Sequence, residues 1–246
     1  AFSNTPTSIP AGYQLPDLTD FDGDGRAELV LNESPDAAVG DTLGFWEWGL
    51  ADFERVHFLI ATVLPRSAGD TNGDGRGELL TYVSRATLVL EAAAPGGFPS
   101  HLLFADTTGL GSNVKDSLTF QGALLADLDG DGAGELIGHN GQSIRILERR
   151  GAGFADVARI PTTDARVSYA EPDFRVADLN RNGKDELAAM DAEGGLVGIE
   201  ATGNDRYAVA WSVRVDEFSP RSALATGDVD GDGQLDLVTF TTNQPG

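Results

Sequence analysis

Five short acidic stretches recur along the chain: DFDGDGRAEL from Asp20, DTNGDGRGEL from Asp70, DLDGDGAGEL from Asp127, DLNRNGKDEL from Asp178 and DVDGDGQLDL from Asp228. Their first aspartates are 50, 57, 51 and 50 residues apart. An internal period constrains the architecture before any local propensity does. One of about fifty residues is too long for a leucine-rich repeat and fits a unit of four short strands.

The interior of each unit agrees. A short apolar run follows each acidic stretch: ELVLNE, ELLTYVS, ELIGHN, ELAAMD and DLVTFT. A turn rich in Gly, Asp or Pro comes next, then an alternating run: GFWEWG, TLVLEA, SIRILE, LVGIEA. Third runs read FERVHFLIA, FPSHLLFAD, FADVARIP and RYAVAWSV, and shorter fourth runs, QGALLAD, DFRVAD and RSALATGD, lead into the next acidic stretch. Alternation with period two between turn residues marks strands, and no window keeps a 3.6-residue stripe for long. The expected fold is an all-β β-propeller of about fifty-residue, four-stranded blades, a single domain over residues 1–246 with five repeats visible. Two closures are open. The ring could close with five blades, AFSNTPTSIP supplying a strand, or the chain could be part of a longer propeller.

The acidic stretches have the pattern of a calcium loop. Calcium takes six to eight oxygen ligands, and a short loop can offer them from alternate positions. In the first loop Asp20, Asp22 and Asp24 fill positions one, three and five, Arg26 offers its carbonyl at seven, and Glu28 closes the site at nine. The same positions hold Asp70, Asn72, Asp74, Arg76 and Glu78, then Asp127, Asp129, Asp131, Ala133 and Glu135. They hold Asp178, Asn180, Asn182, Lys184 and Glu186 in the fourth loop, and Asp228, Asp230, Asp232, Gln234 and Asp236 in the fifth. Position six is Gly in all five, which allows a sharp reversal through positive φ. A solvated acidic turn needs Asp, Asn and Gly, but not oxygens at one, three, five and nine together. An EF-hand is excluded: position twelve is Leu31, Thr81, Gly138, Ala189 or Thr239, never a carboxylate, and a strand follows instead of a helix. Magnesium prefers a tight octahedron with retained waters, and zinc would want His or Cys.

A repeated D-x-[DN]-x-[DN]-G-x-x-[DE] followed by an apolar strand resembles the FG-GAP/VCBS repeat of integrin α subunits and many bacterial extracellular proteins. The resemblance runs from Asp20 to the strand after Asp236, although the Phe-Gly and Gly-Ala-Pro signatures are poorly kept. It implies calcium, up to five ions, joining the first two strands of each blade. It also implies an extracellular or cell-surface location and a role in adhesion.

Charge fits that expectation. The formal net charge is −22, and seventeen of the 39 acidic residues occupy ligand positions. Five calcium ions would bring +10. A balance this acidic argues against nucleic acid or an anionic membrane surface as partner. There is no cysteine, hence no disulfide scaffold or thiolate chemistry. No apolar run approaches the roughly 18 residues of a membrane span. Arg outnumbers Lys by 15 to 2, as a GC-rich bacterial genome would produce.

Catalytic signatures are lacking. His57, His101 and His139 fall at unrelated places in the repeat, and no G-x-S-x-G, H-E-x-x-H or phosphate-cradling Gly motif occurs. The chain is therefore expected to be a binding module, not an enzyme, with a protein or a glycan as ligand. A carbohydrate-binding lectin is the alternative, and a polysaccharide-processing enzyme on a propeller scaffold, which would want a basic or His-containing cleft, is the less favoured one. Trp46 and Trp48 of GFWEWG share one strand face, Phe45 the other. They read as packing between blades, with a sugar platform as the alternative. Ligand charge tunes calcium affinity, so the fourth loop, with Asp178 and Glu186 its only carboxylates at ligand positions, should bind weakest.

Overall fold

A computed structural model describes residues 18–33, 42–49, 53–60, 63–83, 86–107, 119–139, 143–161, 174–190, 195–214 and 224–239. Within them the chain is all β, built of antiparallel sheets in chain order. The first sheet holds β1 (Glu28–Glu33), β2 (Thr42–Trp48) and β3 (Phe53–Ile60). The second holds β4 (Leu64–Gly69), β5 (Glu78–Val83), β6 (Ala86–Ala92) and β7 (Pro99–Asp106). The third holds β8 (Thr119–Ala126), β9 (Glu135–His139), β10 (Ser143–Arg150) and β11 (Gly153–Pro161). The fourth holds β12 (Arg175–Ala177), β13 (Glu186–Met190), β14 (Gly195–Gly203) and β15 (Arg206–Arg214), and the fifth β16 (Leu224–Gly227) and β17 (Asp236–Thr239). Each sheet is a meander between sequence neighbours, the arrangement of propeller blades. Among the described residues of the first sheet, the bridge Thr19↔Glu28 precedes β1, in the register that Gly69↔Glu78 and Ala126↔Glu135 take in the next two. The segment AFSNTPTSIP lies outside the described residues.

Burial follows from the stacking. Successive side chains of a strand point to opposite faces, and a sheet between two others buries both. Leu79 packs with Phe21, Val30, Leu43 and Phe45 of the first sheet and its loop, whereas its neighbour Leu80 packs with Leu125 and Leu136 of the third. Leu136 thus faces the second sheet, and Ile137 joins Leu187, Ala189, Val197 and Ile199 of the fourth. Every residue of β9 is buried, while most of the outermost β15 is exposed. Each fully buried Leu or Ile contributes about 1.5–3 kcal/mol, so the apolar runs after the acidic loops form the strongest part of the core.

The aromatic strand β2 packs differently from the sequence expectation. Phe45 is the core residue, edge-on to Phe21 at 5.2 Å and tilted against Phe98 of the second sheet at 5.0 Å. Trp46 is half-buried, and Trp48 is 56% exposed, its ring edge-on to Phe53 at 5.1 Å. The reading of both tryptophans as interblade packing is corrected for Trp48: it lies at the end of β2, where the described second sheet does not cover it.

Candidate metal centres in the acidic loops

All five loops join the first strand of a sheet, or the bridge at Thr19, to the second, and one hydrogen-bond scheme recurs. The position-one carboxylate accepts the amide of the position-six glycine: Gly25 and Gly75 at 2.8 Å, Gly132 and Gly183 at 3.0 Å, Gly233 at 2.9 Å. All five glycines have φ between 81° and 89°, where a side chain is strained. Position three accepts the amide of position five, and position five that of position seven, from Arg26, Arg76, Ala133, Lys184 or Gln234. The position-nine carboxylate reaches back to the amide of position two, from Phe21 at 2.8 Å, Thr71 and Leu128 at 2.6 Å, Leu179 at 2.8 Å and Val229 at 2.9 Å. Both oxygens of the position-one carboxylate accept amides of its own loop, whereas the position-nine carboxylate commits one oxygen to the loop and keeps a second.

What that second oxygen meets separates the loops. Asp20, Asp22, Asp24 and Glu28 bring carboxylate oxygens within 4.8 Å of one another, as do Asp127, Asp129 and Glu135, and Asp228, Asp230 and Asp236. Oε1 of Glu28 and of Glu135 is buried without a hydrogen-bond partner. In the second loop the amide of Asn72 donates to Glu78 Oε1 at 3.2 Å, while Arg76 pairs with Asp74 at 2.5 Å. In the fourth, Asn180 Nδ2 donates to Glu186 Oε1 and to Glu200 Oε2, and Asn182 Nδ2 to Glu200 Oε1 at 2.9 Å. The amides thus take oxygens that are unpartnered in the first and third loops.

Electrostatics carries the same message. Burial, then repulsion from Asp22, Asp20 and Asp24, pushes Glu28 up to about 7 against its Phe21 hydrogen bond. Burial and the charges of Asp129 and Asp127 push Glu135 up to about 8. Burial also raises Glu78 and Glu186. An unpaired buried carboxylate is costly, and a cation with open oxygen coordination removes that cost. The donor set, carboxylate and amide oxygens with backbone carbonyls and no His or Cys, fits calcium.

Several residues around the loops escaped the sequence reading. Opposite the position-nine carboxylate, the neighbouring strand carries another: Glu47 across from Glu28, Glu148 across from Glu135, Glu200 across from Glu186. Glu47 pairs with Arg26, and Lys184 lies 4.0 Å from Glu200, so in the first and fourth loops the position-seven cation turns towards this acid, whereas Arg76 of the second stays with Asp74 in its own loop. The recurring E in GFWEWG, SIRILE and LVGIEA is the signal that could have found them. Position eight is the other. The amides of Gly77 and Gly134 donate to the carbonyls of Asp20 and Thr71 in the preceding loop, at 2.8 and 2.9 Å. A Cβ on Gly77 would come within 2.0 Å of Thr19 Cγ2, and on Gly134 within 2.8 Å of Thr71 Cα. Adjacent loops therefore touch, and at Gly77 and Gly134 the contact leaves no room for a side chain.

The three histidines are dispersed over β3, β7 and β9. His57 stacks on Phe98 at 4.5 Å, His101 faces Glu91 at 3.5 Å, and burial lowers His139 to about 4. No helix among the described residues is long and apolar enough to cross a membrane.

Comparison with known proteins agrees with this geometry. The model of the FG-GAP-like repeat matches residues 127–189, and that of the FG-GAP repeat matches residues 221–245. No curated protein matches the chain. Among solved structures, the chain is similar to an Agrocybe aegerita lectin described as specifically recognising non-reducing terminal N-acetylglucosamine, with a TM-score of 0.62 and 17% identity. The similarity covers 94% of this chain and 61% of the lectin, so the chain spans about three-fifths of that neighbour's length. A putative 6-phosphogluconolactonase from Bacteroides uniformis is similar with a TM-score of 0.51 and 10% identity, over 91% of this chain and 70% of that one. At such identities the likeness is one of fold. The stretches that hold the third, fourth and fifth acidic loops thus match FG-GAP repeats, and the fold is an all-β one of propeller blades.

Proposed function

We propose that this chain is a calcium-stabilised extracellular β-propeller that acts as a binding or adhesion module. The observation that carries calcium is the pair of buried, unpartnered glutamate oxygens, Oε1 of Glu28 and of Glu135, beside converging aspartates. When bound, the cation supplies charge neutralisation and ties the first two strands of a blade together. An extracellular setting supplies calcium at the millimolar level that fills even weak sites. The repeat family and the lectin-like fold support a binding module over an enzyme. A glycan ligand is the second reading, favoured by the exposed Trp48 ring against Phe53.

Calcium titration followed at the loop-glycine amides tests the metal reading. Gly25, Gly132 and Gly233 should saturate at lower calcium than Gly75, and Gly183 should saturate last. The absence of any calcium-dependent shift would remove calcium from the proposal, and Gly183 saturating first would overturn the ranking by charge and amide blockade. A glycan array probed with and without calcium separates the two ligand classes: calcium-dependent retention that Trp48→Ala abolishes supports a glycan, and an array without hits supports a protein ligand.

A further inference from the structure

The turn between β14 and β15 in the fourth sheet reaches over the third loop. The amide of Asp205 donates to Asp129 Oδ2 at 2.9 Å, and Tyr207 Oη lies 3.5 Å from the same oxygen. The Asn204 side-chain amide donates to Asp131 Oδ2. These are the second oxygens at positions three and five, whose first oxygens accept the loop's own amides. Asp205 has φ of 59°, a conformation that Asp and Asn tolerate better than most residues. Its carboxylate is anchored to Arg150 of the third sheet at 2.6 Å, and Arg150 in turn pairs with buried Glu148. The corresponding turn of the second sheet approaches the first loop too, but there only the amide of Gly96 touches, bonding to the Asp22 carbonyl at 3.0 Å. In the fourth sheet alone, among the described residues, such a turn holds ligand-position carboxylates from above.

We infer that Asn204, Asp205 and Tyr207 are positioning residues for the third metal centre, so that cation binding there is coupled to the packing of the fourth sheet on the third. The inference rests on the calcium reading of the loops. An ionised carboxylate has about four lone-pair sites over its two oxygens, so Asp129 can accept the Asp131 and Asp205 amides and the Tyr207 hydroxyl and still present one site to a cation. Donors behind a ligating carboxylate fix its orientation, and losing them typically costs about 10–100-fold in metal affinity. Reciprocally, a cation that holds Asp129 and Asp131 in place fixes the acceptors on which the turn rests.

The test is calcium titration of the full chain carrying Asn204→Ala and Tyr207→Phe, read at the Gly132, Gly25 and Gly233 amides. The Gly132 midpoint should rise by about tenfold, with Gly25 and Gly233 unchanged. An unchanged or lower Gly132 midpoint, with the other two titrating normally, overturns the coupling and leaves the calcium reading intact. If no glycine titrates, the calcium reading falls and the coupling with it. Hydrogen exchange on the unmodified chain needs no variant: saturating calcium should slow exchange of the Asp205 amide severalfold, and exchange indifferent to calcium overturns the inference.

Discussion

Glu28 and Glu135 close their loops from inside the core, and their burial gives the metal-free protein an unusual pH dependence. Their ordinary value of 4.5 is raised to about 7 and about 8, and Glu148 is likewise raised to about 7. Between the ordinary and raised values the folded chain holds protons that the unfolded chain has released, so stability falls as pH rises through the folded values. His139, held near 4 against an ordinary 6.5, has the opposite slope, but only below its unfolded value. The window that isolates the glutamates is therefore from about pH 7 to about pH 8.5. In EDTA the melting temperature should decline across it, and Glu135→Gln should weaken the decline. In excess calcium the share of the decline that Glu28 and Glu135 carry should disappear, because the cation replaces their protons. A metal-free melting temperature that climbs from pH 7 to 8.5 would show that these carboxylates are ionised in the fold.

At the scale of the element, β2 separates the two roles of its aromatic residues. Phe45 is fully buried against Phe21 and Phe98, so Phe45→Ala should cost about 3–5 kcal/mol, the range for a buried aromatic. Trp48 is more than half exposed, so Trp48→Ala should cost less than about 1 kcal/mol. Urea denaturation midpoints of the two variants check this, and equal losses would mean that Trp48 is covered in solution. The contrast shows what period-two reasoning can see. It separates Trp46 and Trp48 from Phe45, but which face a neighbouring sheet covers is decided by chain far away. The strands were legible because alternation is local, and the loops because their nine positions are contiguous. Gly77 and Gly134 were not, since their need to be glycine arises only where one loop meets the carbonyl of the previous one. Glu47, Glu148 and Glu200 depend on cross-strand register. Asn204 and Asp205 act on Asp131 and Asp129, more than seventy residues earlier, a distance no motif spans.

Across the whole molecule, a net charge of −22 opposes compaction, and much of it is concentrated where successive sheets touch. The Asp20 carbonyl accepts from Gly77 and the Thr71 carbonyl from Gly134, so the loops are joints between blades as well as turns within them. On the calcium reading, losing the cations would therefore weaken these two joints together. A ligand at about a hundred times its dissociation constant stabilises the state it binds by about 2.7 kcal/mol per site. For a domain of this size, 1 kcal/mol moves the melting temperature by about 2–4 °C. Two sites filled to that degree already correspond to more than about ten degrees, and the first, third and fifth loops all bring carboxylates together. Excess EDTA should therefore lower the melting temperature by more than about ten degrees, and added calcium should restore it, while added magnesium should restore little because it keeps its waters. High salt offers the control. If screening by monovalent salt alone recovers the lost stability, general repulsion among the acids was being relieved. If only calcium does, the loops bind it as sites. A melting curve unmoved by EDTA, with metal removal confirmed by elemental analysis, would mean that the blades hold together through their apolar faces alone.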